Sequence, residues 1–260
     1  MNFAGDAPNG FMEDNKFRTI GILGGMGPEA TLSLFAQIIK ATPAKKDQDH
    51  IPVIIFNNPS IPDRTRHIVY KEESPLPYLV AGAHKLEQSG ADMILIPCNT
   101  AHFYVPEMEK SVGIPILNMP RLTCDHIAQI AKLPGESLQE KRIPVGILAT
   151  TGTIHTGLYQ GFMDKNGLCP LLPTEEEQES LVMEAVYGKE GVKAGYHQKP
   201  ANLLAEAAAI LASRGAGYII AGCTEIPLVL SKQMVEVPLV NSMEVLARKA
   251  VHVASNGLYG

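Results

Sequence analysis

"GADMILIPCNT" occupies residues 90–100, and "GAGYIIAGCTE" occupies residues 215–225. Each is Gly-Ala, then an apolar run, then a cysteine followed closely by a threonine. Cys98 stands eight positions after Gly90, and Cys223 stands eight after Gly215. The chain has only 4 cysteines, and two of them fall in matching frames. The offset is 223 − 98 = 125, and it recurs elsewhere. "GIL" begins at Gly21 and again at Gly146, and Gly27 with Gly152 and Thr31 with Thr156 repeat the same spacing. Strand–glycine–helix units look alike in any α/β protein, but cysteines in register go beyond that likeness. The chain therefore reads as two similar α/β halves.

The rest of the sequence supports this alternation. Short apolar runs predict strands at 18–23, 51–58, 92–97, 114–117, 143–148, 168–172, 217–222 and 237–240. Continuous apolar runs such as "DMILIP" fit parallel strands covered on both faces. Helical spacing predicts helices over 29–42, 75–90, about 100–111, 155–167, 174–187, 201–215 and 241–254. Gly90 and Gly215 serve as C-caps. Thr174 with Glu177 fits a capping box. The expected fold class is α/β: two pseudo-symmetric three-layer domains, each with a mainly parallel sheet. Ligand loops then gather at the carboxyl ends of the strands, in the cleft between the domains.

The chain's 260 residues suffice for one large domain or two smaller ones, and 45% hydrophobic content supports a substantial core. A net charge of −5 gives no electrostatic case for nucleic acid or an anionic membrane surface. No apolar run approaches the roughly 20 residues of a membrane helix. The polar start, "MNFAGDAPNGFMEDNK", has neither the basic nor the apolar region of a signal peptide. It reads as a flexible leader over 1–17, and the expected compartment is the cytoplasm. Disulfides are rare there, so each cysteine is core filler or chemistry.

Cys98 and Cys223 each follow a strand, at the loop into the next helix. Helix-terminus amides can lower a thiol's pKa there and make thiolate available. One thiol from each half, facing across a cleft, could remove and replace a proton on opposite faces of one carbon. A small buried hydrophobe is the plain alternative, and Cys124 and Cys169 are read that way because they lack equivalents at the common offset. There is no CxxC and no Cys/His cluster with zinc spacing. His102, four after Cys98, is given a surface or capping role. The run "ILGGMGPEAT" (22–31) contains Gly25-x-Gly27-x-x-Ala30, a weak dinucleotide fingerprint. Its plainer use is a tight turn whose amides bind a carboxylate, echoed by "ATTGT" at 149–153. Arg64, in the loop 57–67, is either a carboxylate clamp or a solvated surface residue. Lys193, between glycines in "EGVKAG", reads locally as surface.

Together "GILGGMGPEAT", "IPDRT", "PCNTAH", "LATTGT", "VKAG" and "GCTEIP" resemble the cofactor-independent aspartate/glutamate racemases, closest to the aspartate racemase branch. The resemblance covers about residues 18–255. It implies a first domain of 18–117 plus 239–260 and a second of 118–238, with a homodimer as the usual assembly. It implies two-base racemisation of aspartate, with glutamate as a second substrate, and neither pyridoxal phosphate nor a metal. The bases map onto Cys98 and Cys223. Arg64 and Lys193 resemble the paired cations that hold substrate carboxylates and stabilise a carbanion-like transition state. Asn99, Thr100 and Thr224 would bind or orient substrate, and Met26 and the loop around Thr151 would line the cleft. Related double-cysteine folds isomerise maleate, decarboxylate arylmalonates or racemise hydantoins. A dinucleotide-dependent enzyme and a non-catalytic binder of acidic amino acids complete the alternatives.

Overall fold

The computed structural model describes residues 17–131 and 142–258. The expected leader lies outside the described residues except for Phe17, which is buried in the first core. The first half runs β1 (Ile20–Gly24), α1 (Pro28–Ala41), β2 (Val53–Asn57), α2 (Arg64–Tyr70), α3 (Leu76–Gln88), β3 (Met93–Leu95), a 3-10 turn (Thr100–Tyr104) and α4 (Val105–Met108). Helix α5 (Met119–Ile130) leads to β4 (Ile143–Leu148), α6 (Thr151–His155), α7 (Gln160–Lys165) and β5 (Leu168–Leu171). Then come α8 (Glu175–Glu177), a π-helical stretch (Gln178–Met183), α9 (Glu184–Tyr187), a 3-10 turn (Val192–Ala194) and α10 (Gln198–Ser213). The chain closes with β6 (Tyr218–Ala221), α11 (Ile226–Val229), β7 (Leu239–Asn241) and α12 (Ser242–Ala254). Among the described residues no helix is long and apolar enough to cross a membrane.

The strands form two parallel sheets, ordered β2-β1-β3 and β5-β4-β6-β7. The central runs β1, β3 and β6 and most of β4 are buried on both faces by helices, as interior parallel strands require, whereas the edge strand β2 is partly exposed, with Ile55 41% exposed. Ile22, Met93 and Leu95 face α1 and α12, whereas Leu23, Ile94 and Ile96 face α3. In the second half Ile219 and Ala221 face α10, and Val145, Ile147 and Ile220 face α5 and α7. Burying each such Ile, Leu or Val contributes roughly 1.5–3 kcal/mol. Both sheets therefore sit in three-layer sandwiches.

The 125-residue repeat survives in the register. Gly21 pairs with Ile94, and Gly146 pairs with Ile219. A Cβ on Gly21 would meet Leu86 Cβ at 3.3 Å and Ala91 Cβ at 2.9 Å; one on Gly146 would meet Leu211 Cβ at 3.2 Å. Leu86 and Leu211 are themselves one repeat apart. Each half thus uses a glycine where the helix before its cysteine strand crosses the central strand closely.

Several segments differ from the sequence expectation. The run 114–117 makes only one bridge, Ile94 to Ile116, because Pro115 has no N–H and the Asn118 cap turns the chain into α5. The helix expected over 155–167 breaks at Gly157, whose φ of +63° divides α6 from α7. The end of the loop 57–67 is helical, because the Asp63 side chain caps α2 by accepting from Arg66 N at 2.9 Å. The capping box is present: Thr174 N donates to Glu177 Oε2 at 2.8 Å, and Glu177 N to Thr174 Oγ1 at 3.3 Å. Residues 239–241 pair in the second sheet, so the chain crosses back only at α12. There Met243, Leu246, Ala250 and Val251 join the core of the first half.

Candidate active site

The repeat places both cysteines at equivalent points. β3 ends at Leu95 and β6 at Ala221, and two or three residues later Cys98 and Cys223 reach the carboxyl edge of their sheets. Both are 6% exposed and line the same cavity between the halves. Met26, Arg64, Asn99, Thr100, Lys193 and Thr224 line it with them. Thr151 does not: its hydroxyl donates to Glu179 Oε1 at 3.1 Å, and Thr150 takes the cavity wall. Thr65, Tyr187 and Glu225 also line it and were not singled out from sequence. The cavity measures about 10 Å³, room for one water molecule.

Arg64 is buried at the first turn of α2, not on the surface. Its Nη1 donates to the Pro62 carbonyl at 3.0 Å and to that of Ile61 at 3.3 Å, and its Nη2 donates to the Met26 carbonyl at 3.1 Å. Its Nε is buried without a partner. Burial opposes the guanidinium charge, but Cys98, Asp63 and Tyr187 outweigh it, and the pKa moves up. The backbone fork thus fixes a permanent cation beside Cys98.

Lys193 is exposed as a residue, as its local reading has it, but its ammonium turns towards the cavity. Its Nζ donates to Glu225 Oε1 at 2.7 Å and lies 5.4 Å from the centre of the Tyr187 ring. Burial opposes the ammonium, but Glu225, Cys223 and Cys98 favour it more strongly, raising its pKa. Burial likewise works against the Glu225 carboxylate, yet Lys193 and the Cys223 hydrogen bond hold it below the usual carboxylate range. Cys223 Sγ donates to Glu225 Oε2 at 2.9 Å. Burial first, and Glu225 second, push this thiol well up, with Lys193 opposing. The expectation of a helix-lowered thiol pKa is therefore overturned at Cys223: α11 begins only at Ile226 and is one turn long, while a carboxylate sits against the sulfur.

The remaining polar residues join the halves. Thr100 Oγ1 lies 3.1 Å from Thr150 Oγ1 and 2.8 Å from Thr153 Oγ1, and Thr65 Oγ1 donates to Thr150 Oγ1 at 3.4 Å. A Cβ on Gly152 would come within 2.9 Å of Thr65 Cα, which shows how close the halves approach. Asn99 is engaged structurally: its Oδ1 accepts from Tyr159 Oη at 2.5 Å, and its Nδ2 donates to Ser242 Oγ at 3.3 Å. Thr224 Oγ1 donates to Glu225 Oε2 at 3.2 Å. Gly25 N donates to Thr31 Oγ1 at 3.0 Å, so this loop amide is already engaged by the first turn of α1.

His102 is buried rather than superficial. Its Nδ1 meets the Cys98 carbonyl at 2.9 Å, which fits its capping reading, and burial pushes its pKa down. Cys124 lies in the second core, where burial pushes its thiol up to about 12. Cys169 lies in β5, an edge strand away from the cavity.

The sequence matches the Asp/Glu/Hydantoin racemase family over residues 23–250. A broad specificity amino-acid racemase, RacX, from Bacillus subtilis (strain 168) is 29% identical over 236 residues, 89% of this chain and 96% of the relative. The structure is similar to that of Picrophilus torridus aspartate racemase, with a TM-score of 0.73 and 26% identity over 92% of this chain and 94% of that one. An aspartate racemase homologue from Pyrococcus horikoshii OT3 shares the fold, with a TM-score of 0.70 and 24% identity over 92% and 99% of the two chains. With two parallel α/β units meeting at one cavity and a family match over most of its length, this chain belongs to the Asp/Glu/Hydantoin racemase family.

Proposed function

We propose that the chain is a cofactor-independent amino-acid racemase that interconverts L- and D-aspartate, and glutamate secondarily, with Cys98 and Cys223 as its two acid/base groups. The observation that carries this reading is the pair of cysteines brought by a repeated frame from opposite halves to one cavity. One sulfur takes the α-proton and the other supplies a proton to the opposite face, which inverts the carbon. Arg64 binds the α-carboxylate through its unpartnered Nε and, with Lys193, stabilises the negative charge that develops as the proton leaves. Thr100 and Thr224 orient the substrate, Met26 closes the wall, and Asn99 holds the Cys98 loop against the second half. The same reading takes the active protein as a cytoplasmic homodimer of two-domain subunits, with 18–117 and α12 forming the first domain. Light scattering tests the dimer.

A second substrate reading is favoured by one observation. Lys193 is already paired with Glu225, so Arg64 is the cation left for a carboxylate. That favours amino acids with a single carboxylate, and it fits the broad specificity of the Bacillus subtilis relative. Proton NMR in D2O without added cofactor, combined with a chiral assay, decides among aspartate, glutamate and neutral amino acids. Loss of the α-proton signal with formation of the other enantiomer is the expected result. No exchange with any of them refutes the racemase reading.

A further inference from the structure

The two halves repeat closely, so their differences at the cavity are informative. Two residues beyond each cysteine stand Thr100 and Glu225, one repeat apart. Thr100 shares its hydroxyl with neutral threonines, whereas Glu225, 6% exposed, accepts from Cys223 Sγ at 2.9 Å. The cations differ as well: the position one repeat after Arg64, Lys189, is exposed, and the cation near Cys223 is Lys193, which is ion-paired with Glu225. The first thiol thus faces a cation, and the second is hydrogen-bonded to an anion.

We propose that Glu225 is a positioning residue that keeps the proton on Cys223, so that the free enzyme rests in one form: Cys223 is the proton donor, and Cys98, beside Arg64, is the base. The inference rests on the two-cysteine reading of the site. Besides Cys223, Glu225 has Lys193 in direct contact, and Tyr187, Arg64 and Cys98 share the cavity. Lys193 holds the carboxylate ionised, and an ionised carboxylate is the acceptor that an S–H donor needs. The direction of the Cys223 pKa agrees with this.

In the resting form the Cys98 sulfur takes the α-proton, and the C–H electron pair stays on the substrate carbon. The Cys223 S–H proton then bonds to the opposite face of that carbon, leaving its electron pair on sulfur. The enzyme is left with a Cys98 thiol and a Cys223 thiolate beside Glu225. Release of a proton from Cys98 to water and uptake of one at Cys223 restore the resting form. Enantiomers have equal energies, so kcat/KM must be equal in both directions. The asymmetry therefore shows in thiol reactivity, and in kcat and KM taken separately.

The test is alkylation of the full chain by limiting iodoacetamide without substrate, near neutral pH, with adducts at Cys98 and Cys223 counted by peptide mass spectrometry. Equal exposure in one cavity makes the two sites comparable. In the unsubstituted protein Cys98 should label at least about tenfold faster than Cys223, because the thiolate and not the thiol is the nucleophile. Glu225→Gln should raise the Cys223 rate about tenfold and move its pH profile down, whereas Glu225→Asp should keep most of the original ratio. Equal labelling in the unsubstituted protein overturns the proposal without any variant, as does an unchanged ratio in a folded Glu225→Gln protein. Labelling needs no turnover, so absent racemisation with the expected ratio would count against the reaction alone.

Discussion

Replacing Lys193 by Met should reverse the sign of the pH dependence that Glu225 gives to stability. In the native protein the Glu225 carboxylate is held down by Lys193 at 2.7 Å. A depressed carboxylate contributes stability above its unfolded pKa, about 4.3, and loses it as pH falls through the folded value. Without Lys193 the carboxylate, with a side chain 8% exposed, keeps its burial cost and loses its cation. Breaking a fully buried pair in this way costs about 3–5 kcal/mol, and the 27% exposure of the Lys193 side chain puts this pair at or below the low end. The chain can escape by protonating Glu225. From an unfolded pKa of about 4.3 that costs roughly 1.36 × (7 − 4.3), about 3.7 kcal/mol at pH 7, which is the ceiling on the penalty from burying the ionised group. The expected loss in Lys193→Met is therefore about 3 kcal/mol at pH 7. It should shrink as pH falls towards 5, because the folded state now binds the extra proton. Adding Glu225→Gln should recover most of it. Urea denaturation of the three proteins across this range measures the effect. A loss below about 1 kcal/mol, or one that does not change with pH, would refute the argument.

Cys98→Ser and Cys223→Ser should each lower racemisation by at least about 10²–10⁴-fold, the usual worth of a positioned acid or base, while Cys124→Ala keeps it; the chiral assay reads all three. Gly21→Ala should cost about 1–3 kcal/mol by overpacking, since its Cβ would lie 2.9 Å from Ala91 Cβ. Gly146→Ala should cost less, because its nearest contact, at 3.1 Å, is the end of the Leu211 side chain; thermal melts compare the two. His102 is held neutral by burial, so its contribution is present above its unfolded pKa of about 6.5 and is lost as pH falls below that value. His102→Gln should flatten the decline of Tm in that window.

Much of the architecture was legible because it depends on local pattern. The apolar runs around Gly21, Ile94, Gly146 and Ile219 predicted the four strands that carry the repeat, and the 125-residue offset reappears in their pairing. Caps at Gly90, Gly215 and Thr174 were legible for the same reason: each is a backbone requirement met by one or two residues. Elements that depend on balance were less so. The strand at 114–117 shrank to a bridge, and the helix after 155 broke at Gly157, where neighbouring contacts decide between near-equal local states.

At the site, the sequence by itself singled out two thiols in one frame and a set of motifs that includes Arg64 and Lys193. Local sequence left both cations indistinguishable from surface residues. Only the tertiary structure decided that Arg64 is buried beside Cys98, and that Lys193, exposed as a residue, turns its ammonium inward to pair with Glu225. Glu225 was in plain view in "GCTE", yet its meaning depends on Lys193, 32 residues away. Charge acts through distance and dielectric, and both are set by how the two halves close on each other. Thr65 stands in the quoted "IPDRT", but that it and Tyr187 reach the cavity follows only from that closure.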